Sequence, residues 1–176
     1  MTGLRSGTAM DTRLLRQTFG AFATGVTVVT VGGPQPRGMT ANSFTAVSLD
    51  PPLILVCVER GALMHDALLG AGTFGVSVLH SGQEQIARHF ASRRPLGAEQ
   101  FRHTAVRTGA LCGAPLIEGA AAHFECELWD THDGGDHTIF VGRLLDMPRA
   151  TARDVLLFLR GRFSRVGDVP GTGEAT

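Results

Sequence analysis

Residues Val26–Glu59 read VTVVTVGGPQPRGMTANSFTAVSLDPPLILVCVE, and this stretch decides the fold class. Its first six residues, 26–31, are all β-branched and predict a strand, because such side chains pack well on a pleated sheet. The Gly and Pro residues that follow predict a reversal and a second strand from about Gly38. Pro51-Pro52 cannot donate ladder hydrogen bonds, so a third, buried strand is expected to begin after them, over Leu53–Glu59.

The rest of the chain adds three predicted helices and three further strands. The Ser81-Gly82-Gln83-Glu84 segment has the form of a capping box, and Asp133-Gly134-Gly135-Asp136 is a hairpin signal. The predicted helices run from Asp11 to near Thr24-Gly25, over Ala62–Leu69 and from Ser81 through Phe90, and the predicted strands cover Thr73–Leu79, Ala122–Asp130 and Thr138–Leu145. Short strands joined by Gly and Pro turns predict a mainly β fold, an antiparallel β-barrel with a few helices.

The length and composition fit one domain. The chain has 176 residues, of which 43% are hydrophobic, and it contains no internal repeat or linker. A chain of this size can bury a core by itself or as a dimer. We expect a disordered N-terminus at 1–9, a single domain at 10–166 and a disordered tail at 167–176.

The charge balance and the missing residue types exclude several functions. Sixteen basic and sixteen acidic residues cancel, which argues against nucleic-acid and membrane-surface partners. All the basic residues are Arg and there is no Tyr, so Schiff-base lysine and tyrosine acid catalysis are excluded. The longest strongly apolar run, 53–58, is too short to span a membrane. Three cysteines without a pairing pattern indicate reduced thiols and predict a soluble, cytoplasmic protein.

No common catalytic or metal motif is present. A Gly-x-Gly-x-x-Gly loop is missing, so a Rossmann dinucleotide site is not supported. Ser77, Ser81, His80 and His89 could supply a nucleophile and a base, but no Gly-x-Ser-x-Gly elbow presents either serine. The hairpin carries two histidines five residues apart, a spacing unlike the usual ligand spacings, so no metal site is predicted there.

The segment Gly38–Phe44, GMTANSF, allows two interpretations. Small and hydrogen-bonding side chains here could border a flat ligand, since backbone amides and short hydroxyls suit the polar edge of an isoalloxazine ring or a phosphate. The same composition also fits an ordinary strand with a solvated polar face. Composition alone does not choose between them.

Five blocks resemble the short-chain flavin reductase family, in the family's order and over about residues 10–166. They are FATGVTVVT at 22–30, GMTANSFTAVSLDPPLILVCV at 38–58, GVSVLHSGQEQIARHFA at 75–91, GDHTIFVG beginning at Gly135, and LRGRF at 159–163. The resemblance implies a Greek-key split β-barrel of the FMN-binding type and a homodimer with flavin near the interface. It also implies hydride transfer from NADH or NADPH to FAD or FMN, with FAD as the first expectation, and delivery of reduced flavin to a flavin-dependent monooxygenase.

The resemblance also assigns site residues by position. The flavin edge would be bordered by Met39, Thr40, Ala41, Asn42 and Ser43, with Ser48, Cys57 and Val58 as further flavin contacts. The ribityl and phosphate portion would be supported by Ser77, Ser81 and Gln83, the ring would pack on Phe90, and Arg162 and Phe163 would lie in the last block. A helix N-terminus near Ser81–Gln83 adds a physical reason for anion binding there.

His137 corresponds to the position next to the nicotinamide, where an imidazole could orient the carboxamide or stabilise charge on the reduced flavin. The alternative is a hairpin histidine that points into water. Phe163 and Leu159 depart from the family, in which tyrosine and a polar residue are common at these positions. Two rivals to the reductase stay open, namely a non-catalytic flavin carrier and an oxidase-type flavoprotein on the same barrel.

Overall fold

The computed structural model describes residues 10–92, 97–148, 150–151 and 153–166. The segments expected to be disordered, 1–9 and 167–176, lie outside these ranges. The helices are α1 (Thr12–Phe19), α2 (Leu63–Ala71), α3 (Glu84–Ala91) and a 3-10 helix (Gly97–Phe101). The strands are β1 (Thr24–Gly25), β2 (Thr27–Val31), β3 (Arg37–Ala41), β4 (Thr45–Leu49), β5 (Pro52–Glu59), β6 (Thr73–Val78), β7 (Val106–Thr108), β8 (Pro115–Ile117), β9 (Ala122–Gly134), β10 (His137–Asp146), β11 (Leu156–Leu159) and β12 (Arg162–Arg165).

Seven strands form one antiparallel sheet in the order β3-β2-β6-β9-β10-β5-β4. Its two edge strands, β3 and β4, are consecutive in the chain and are joined only by residues 42–44. A flat sheet of seven strands would place its edges about 29 Å apart, whereas this connection spans at most about 14 Å. The sheet therefore curls into a barrel that is split between β3 and β4, which confirms the predicted mainly β architecture.

Two hydrophobic clusters hold the fold together. The first lies within the curled sheet and against α2, with Val56, Phe74 and Phe140 fully buried. The second joins α3 and the 3-10 helix to β2 and β11, around Phe90 and Leu79. The three-stranded sheet β1-β11-β12 and the two-stranded sheet β7-β8 lie outside the barrel sheet. None of the helices in the described ranges is long and apolar enough to cross a membrane.

Two predicted helix boundaries were wrong. Helix α1 begins as predicted, with Asp11 accepting a hydrogen bond from the Arg13 N–H at 2.8 Å, but it ends at Phe19 and not near 24–25, because Gly20 and the residues after it form tight turns. The predicted capping box at Ser81 is absent. The Ser81 N–H donates instead to the Asp154 carbonyl, and α3 starts after Gln83, whose side chain makes no capping bond to the helix.

Strand β4 was missed by the sequence analysis. Most of its residues are exposed, so it lacks the apolar alternation of a half-buried strand. It is an edge strand that pairs only with β5, and a turn containing the cis Asp50-Pro51 peptide joins the two. Because β4 lies at the edge of the sheet, polar and exposed residues are sufficient to form it.

Candidate active site

A cleft of about 660 Å³ opens beside strand β3. Three parts of the chain form its walls: β3 itself, the segment from the end of β5 into α2, and the end of α3 together with the 3-10 helix. The lining residues are Arg37, Gly38, Met39, Thr40, Glu59, Gly61, Ala62, Leu63, Met64, Phe90, Ala91, Ser92 and Gln100. The predicted residues Met39, Thr40 and Phe90 thus line the cleft.

Gly38 fixes the floor of the cleft against the 3-10 helix. Its N–H donates to Gln100 Oε1 at 2.8 Å, and its carbonyl accepts from Gln100 Nε2 at 2.9 Å. A Cβ at this position would lie 2.6 Å from the Phe90 ring, so only glycine allows this close approach. Gln100 is 5% exposed and uses both ends of its amide on this one residue.

The open edge of β3 carries free hydrogen-bonding capacity at Thr40. Strand β3 pairs only with β2, and the backbone groups of Gly38 point away from β2 toward Gln100. Since backbone groups alternate along a strand, the N–H and C=O of Thr40 point to the same open side. The Thr40 hydroxyl donates to the Ala87 carbonyl at 2.7 Å, which ties the strand to α3. Thr40 can therefore offer a donor and an acceptor to a ligand edge.

The residues after β3 bridge the split in the barrel. The Ser43 hydroxyl accepts from the Cys57 N–H and donates to the Cys57 carbonyl, each at 3.0 Å, and so continues the β4–β5 ladder through a side chain. Asn42 donates to the Thr24 hydroxyl at 3.2 Å, and Ala41 is buried. Burial raises the pKa of the Cys57 thiol, which keeps it protonated near neutral pH.

His137 lies at the start of β10, opposite Glu59 in the β5–β10 register. Glu59 lines the cleft, whereas His137 is not among the lining residues and is the strand partner of one of them. The His137 Nδ1 lies 2.7 Å from the Asp136 carboxylate, and this hydrogen bond holds the pKa of Asp136 below its usual value. A neutral His137 therefore carries its proton on Nδ1, which leaves the Nε2 lone pair free to accept a hydrogen bond.

Several predicted ligand residues lie away from the cleft, with polar groups already engaged. The fully buried Ser77 hydroxyl accepts from the Ile117 N–H, and the Ser48 hydroxyl accepts from the Asp50 N–H in the β4–β5 turn. Gln83 bridges the His80 N–H and the Glu118 carbonyl. Ser81 lies in the turn before α3, and Val58 is buried in the core. Their roles in flavin binding stay predictions.

Arg162 and Phe163 lie on β12, in the small sheet outside the barrel. The Phe163 ring packs against Phe158 with centroids 5.4 Å apart, and the Arg88 guanidinium lies 4.9 Å from its centroid. Arg162 is exposed. These contacts place the pair next to α3 and not in the lining of the cleft.

Several lining residues were not predicted from the sequence. Arg37, Glu59, Leu63, Met64 and Gln100 reach the cleft from segments up to 63 residues apart in the chain. Gln100 falls in a segment without helical or strand periodicity, and Arg37 looks like a solvated strand end. The dense Gly-Met-Thr-Ala-Asn-Ser run was the one local signal that marked the region.

The cleft fits a flat aromatic ligand that carries a polar edge. Its volume lies within the range of small-molecule sites, and its walls combine apolar side chains with a few polar groups. Met39, Leu63, Met64 and Phe90 supply apolar surface, while the edge of Thr40 supplies hydrogen bonds. In addition, the Nη1 nitrogen of Arg37 is buried without a hydrogen-bond partner among the described residues.

Comparisons with known proteins agree on one family. Residues 19–167 match the family described as "Flavin reductase like domain". An NADH-dependent FAD reductase from Streptomyces globisporus is 54% identical over 92% of this chain and 89% of its own length. The reductase subunit of a flavin-dependent monooxygenase from Rhodococcus jostii is 34% identical over 93% of this chain and 83% of its own. The crystal structure of the flavin reductase component of a bacterial two-component tryptophan halogenase superposes with a TM-score of 0.85, at 57% identity, over 88% of this chain and 98% of that one.

Proposed function

The chain belongs to the flavin reductase-like family, and on that premise we propose that it uses NADH to reduce FAD and supplies the reduced flavin to a partner monooxygenase. The observation that carries this function is that every residue lining the cleft falls within 19–167, the region that matches the family. The proposed reaction is an NAD(P)H:flavin oxidoreduction, with NADH and FAD as the preferred pair.

The cleft would hold the flavin ring between β3 and the segment leading into α2. The side chains of Met39, Met64 and Phe90 would pack on the ring faces, and the backbone edge of Thr40 would bind its polar rim. The Ser43 bridge to β5 keeps the split region rigid, so the ring-binding edge is preorganised. A flavin held by packing and backbone contacts, without a covalent tether, can leave once it is reduced.

The nicotinamide would enter at the His137 end of the cleft. When bound, the reduced nicotinamide supplies the hydride and the flavin accepts it. The protein has to bring the two rings together and keep water out. The Nε2 of His137 would accept a hydrogen bond from the carboxamide, and the Asp136 carboxylate holds the imidazole through Nδ1. These roles explain why the site needs no nucleophile or metal motif.

Steady-state oxidation of NADH and NADPH, with FAD, FMN and riboflavin supplied in turn, tests this function. We expect the protein to purify with little colour and to oxidise NADH only when flavin is added, with FAD giving the highest kcat/KM. Dependence on added flavin is expected if the open cleft holds the flavin by packing and backbone contacts and then releases it. A protein that binds flavin but shows no turnover with either dinucleotide would be a carrier and would contradict the proposal.

We further propose a homodimer with the flavin near the subunit interface. The segment from Met10 to Phe22, which contains helix α1, exposes Met10, Leu14, Phe19 and Phe22, with exposures of 61–77%, and no residue of the helix is buried. An eight-residue helix is marginal unless an apolar face is covered, so a second copy that covers this face would stabilise it.

Sedimentation velocity of the wild type and of the Leu14→Glu, Phe19→Glu double variant tests the dimer. The wild type is expected to sediment as a dimer and the variant as a folded monomer, because two buried charges would disfavour the interface. A monomeric wild type would contradict the dimer. A variant that stays dimeric would show that the interface lies elsewhere. We also propose a cytoplasmic location, which the three free cysteines support.

A further inference from the structure

Arg37 is the only cation among the described residues that line the cleft. It begins β3, directly before Gly38, and lines the cleft. Its Nη1 is buried and has no hydrogen-bond partner within the described ranges. None of the ion pairs between described residues includes it.

A buried guanidinium nitrogen without a partner is costly, because it loses hydrogen bonds to water and gains none in return. Buried polar groups in proteins are almost always satisfied, so an exception at a ligand cleft calls for an explanation. The side chain of Gln100, which lines the same cleft, is committed to Gly38, and no described polar atom bonds to Nη1. The missing partner is therefore expected to come from a ligand.

We propose that Arg37 binds a phosphate group of a nucleotide substrate in this cleft, an inference that rests on the proposed function. A guanidinium presents parallel N–H donors that match phosphate oxygens, and it stays charged at every working pH. Phosphate is the anionic group that both FAD and NADH carry. The cleft thus combines apolar side chains that suit a ring with one cationic side chain that suits a phosphate.

Glu59 is the only anionic residue among the described lining residues, and it does not compete for Arg37. It lies at the end of β5 opposite His137 in register, and no ion pair joins it to Arg37. A carboxylate on the His137 side would repel a phosphate there. The two charges therefore favour binding of the phosphate at Arg37 and not beside Glu59.

The test replaces Arg37 with methionine, which keeps most of the side-chain length without the charge. A second variant has lysine, which keeps the charge without the parallel N–H donors of the guanidinium. Arg102→Gln is the matched control, because Arg102 is exposed, forms a surface ion pair with Glu99 and directly follows the 3-10 helix. KM is measured for FAD, FMN and riboflavin with NADH, and for NADH and dihydronicotinamide riboside with FAD. Riboflavin and the riboside lack phosphate. Comparison with them shows whether Arg37 binds the phosphate of the flavin or that of the dinucleotide.

In Arg37→Met we expect KM for one class of phosphate-bearing nucleotide to rise about 10- to 30-fold, since a charge-assisted contact is lost. The phosphate-free counterpart should change by less than about twofold, Arg37→Lys should recover part of the loss, and Arg102→Gln should match the wild type. A rise for FAD and FMN assigns the flavin phosphate, and a rise for NADH assigns the dinucleotide. The Tm of Arg37→Met should equal or exceed that of the wild type, because an unsatisfied donor is removed.

Two results would overturn the inference. One is a KM within about twofold of the wild type for every phosphate-bearing nucleotide, and the other is an equal loss for riboflavin or the riboside, which would show that Arg37 only shapes the cleft. If the wild type itself oxidises no NADH, the proposed function fails independently. In that case Kd is measured by fluorescence titration with the same five compounds. The comparison of phosphate-bearing with phosphate-free compounds then decides the role of Arg37.

Discussion

Replacing His137 with alanine is expected to lower kcat/KM for NADH about 100-fold, because misplacing the reacting groups by a small distance carries a cost of that size. The Nδ1 bond to Asp136 orients the imidazole, and His137 is the strand partner of Glu59, which lines the cleft. Without it the nicotinamide would bind in several orientations. Anaerobic stopped-flow measurement of flavin bleaching reports the hydride-transfer step directly.

The matched control for this prediction is His132→Ala. His132 lies on the same hairpin, is exposed and forms a surface pair with Asp130. It removes an imidazole from the same strand pair at a distance from the cleft lining, so its kinetic constants should equal those of the wild type. A His137→Ala variant with kcat/KM within about twofold of the wild type would refute the assignment and would favour a histidine that only points into water.

Glu125→Ala is expected to lower the free energy of unfolding by about 2–4 kcal/mol. The Glu125 carboxylate is 1% exposed and accepts hydrogen bonds from the N–H groups of Ala110, Leu111 and Cys112, at 3.2, 2.7 and 2.8 Å. Alanine leaves these donors without an acceptor and opens space beneath the loop before β8. Urea unfolding followed by tryptophan fluorescence measures the loss.

The pH dependence of this effect has a defined sign. Burial alone would raise the pKa of Glu125, but the hydrogen bonds from Cys112, Leu111 and Ala110 outweigh it and hold the pKa below its usual value. A carboxyl group with a lowered pKa in the folded state stabilises the protein above its unfolded pKa, near 4. This stabilisation is lost as the pH falls through the folded pKa. The difference between wild type and Glu125→Gln should therefore shrink from pH 7 to pH 3.

Glu127→Gln is the control for Glu125. Its carboxylate lies two residues along the same strand and pairs with Arg143 at the surface, so its removal should change stability by less than about 1 kcal/mol. If Glu125→Ala lost no more than this control, the three hydrogen bonds would not contribute to stability. If the difference in unfolding free energy between the wild type and Glu125→Gln did not change with pH, the lowered pKa of Glu125 would be contradicted.

Local patterns predicted most of the sheet. The β-branched run before Gly32, the apolar run of β5 and the Gly-rich turn between β9 and β10 each place a strand through contacts within a few residues. The same local reasoning failed where contacts between residues distant in the sequence determine the local structure. Ser81 fits a capping box, but its N–H is taken by Asp154, more than 70 residues later, and the helix starts one turn on.

Tertiary contacts also reversed the expectation for β9. Alternation placed Glu125 with the polar residues of a half-buried strand, yet the loop before β8 folds over it and buries it. A buried carboxylate is tolerated there only because backbone donors surround it. Nothing in the strand itself indicates this cover, because the donors come from 110–112.

The sequence by itself determined the mainly β architecture and the family, and it predicted a ligand-bordering segment from Gly38 to Ser43, of which 38–40 line the cleft. Each of these can be read from residues that are close together in the sequence. They are β-branched residues, turn residues and short motifs in their order along the chain. Only the tertiary structure decided which residues share the cleft. Arg37, Glu59, Met64 and Gln100 meet because the sheet curls until its first and last strands are neighbours, and because Gln100 binds Gly38 across more than 60 residues.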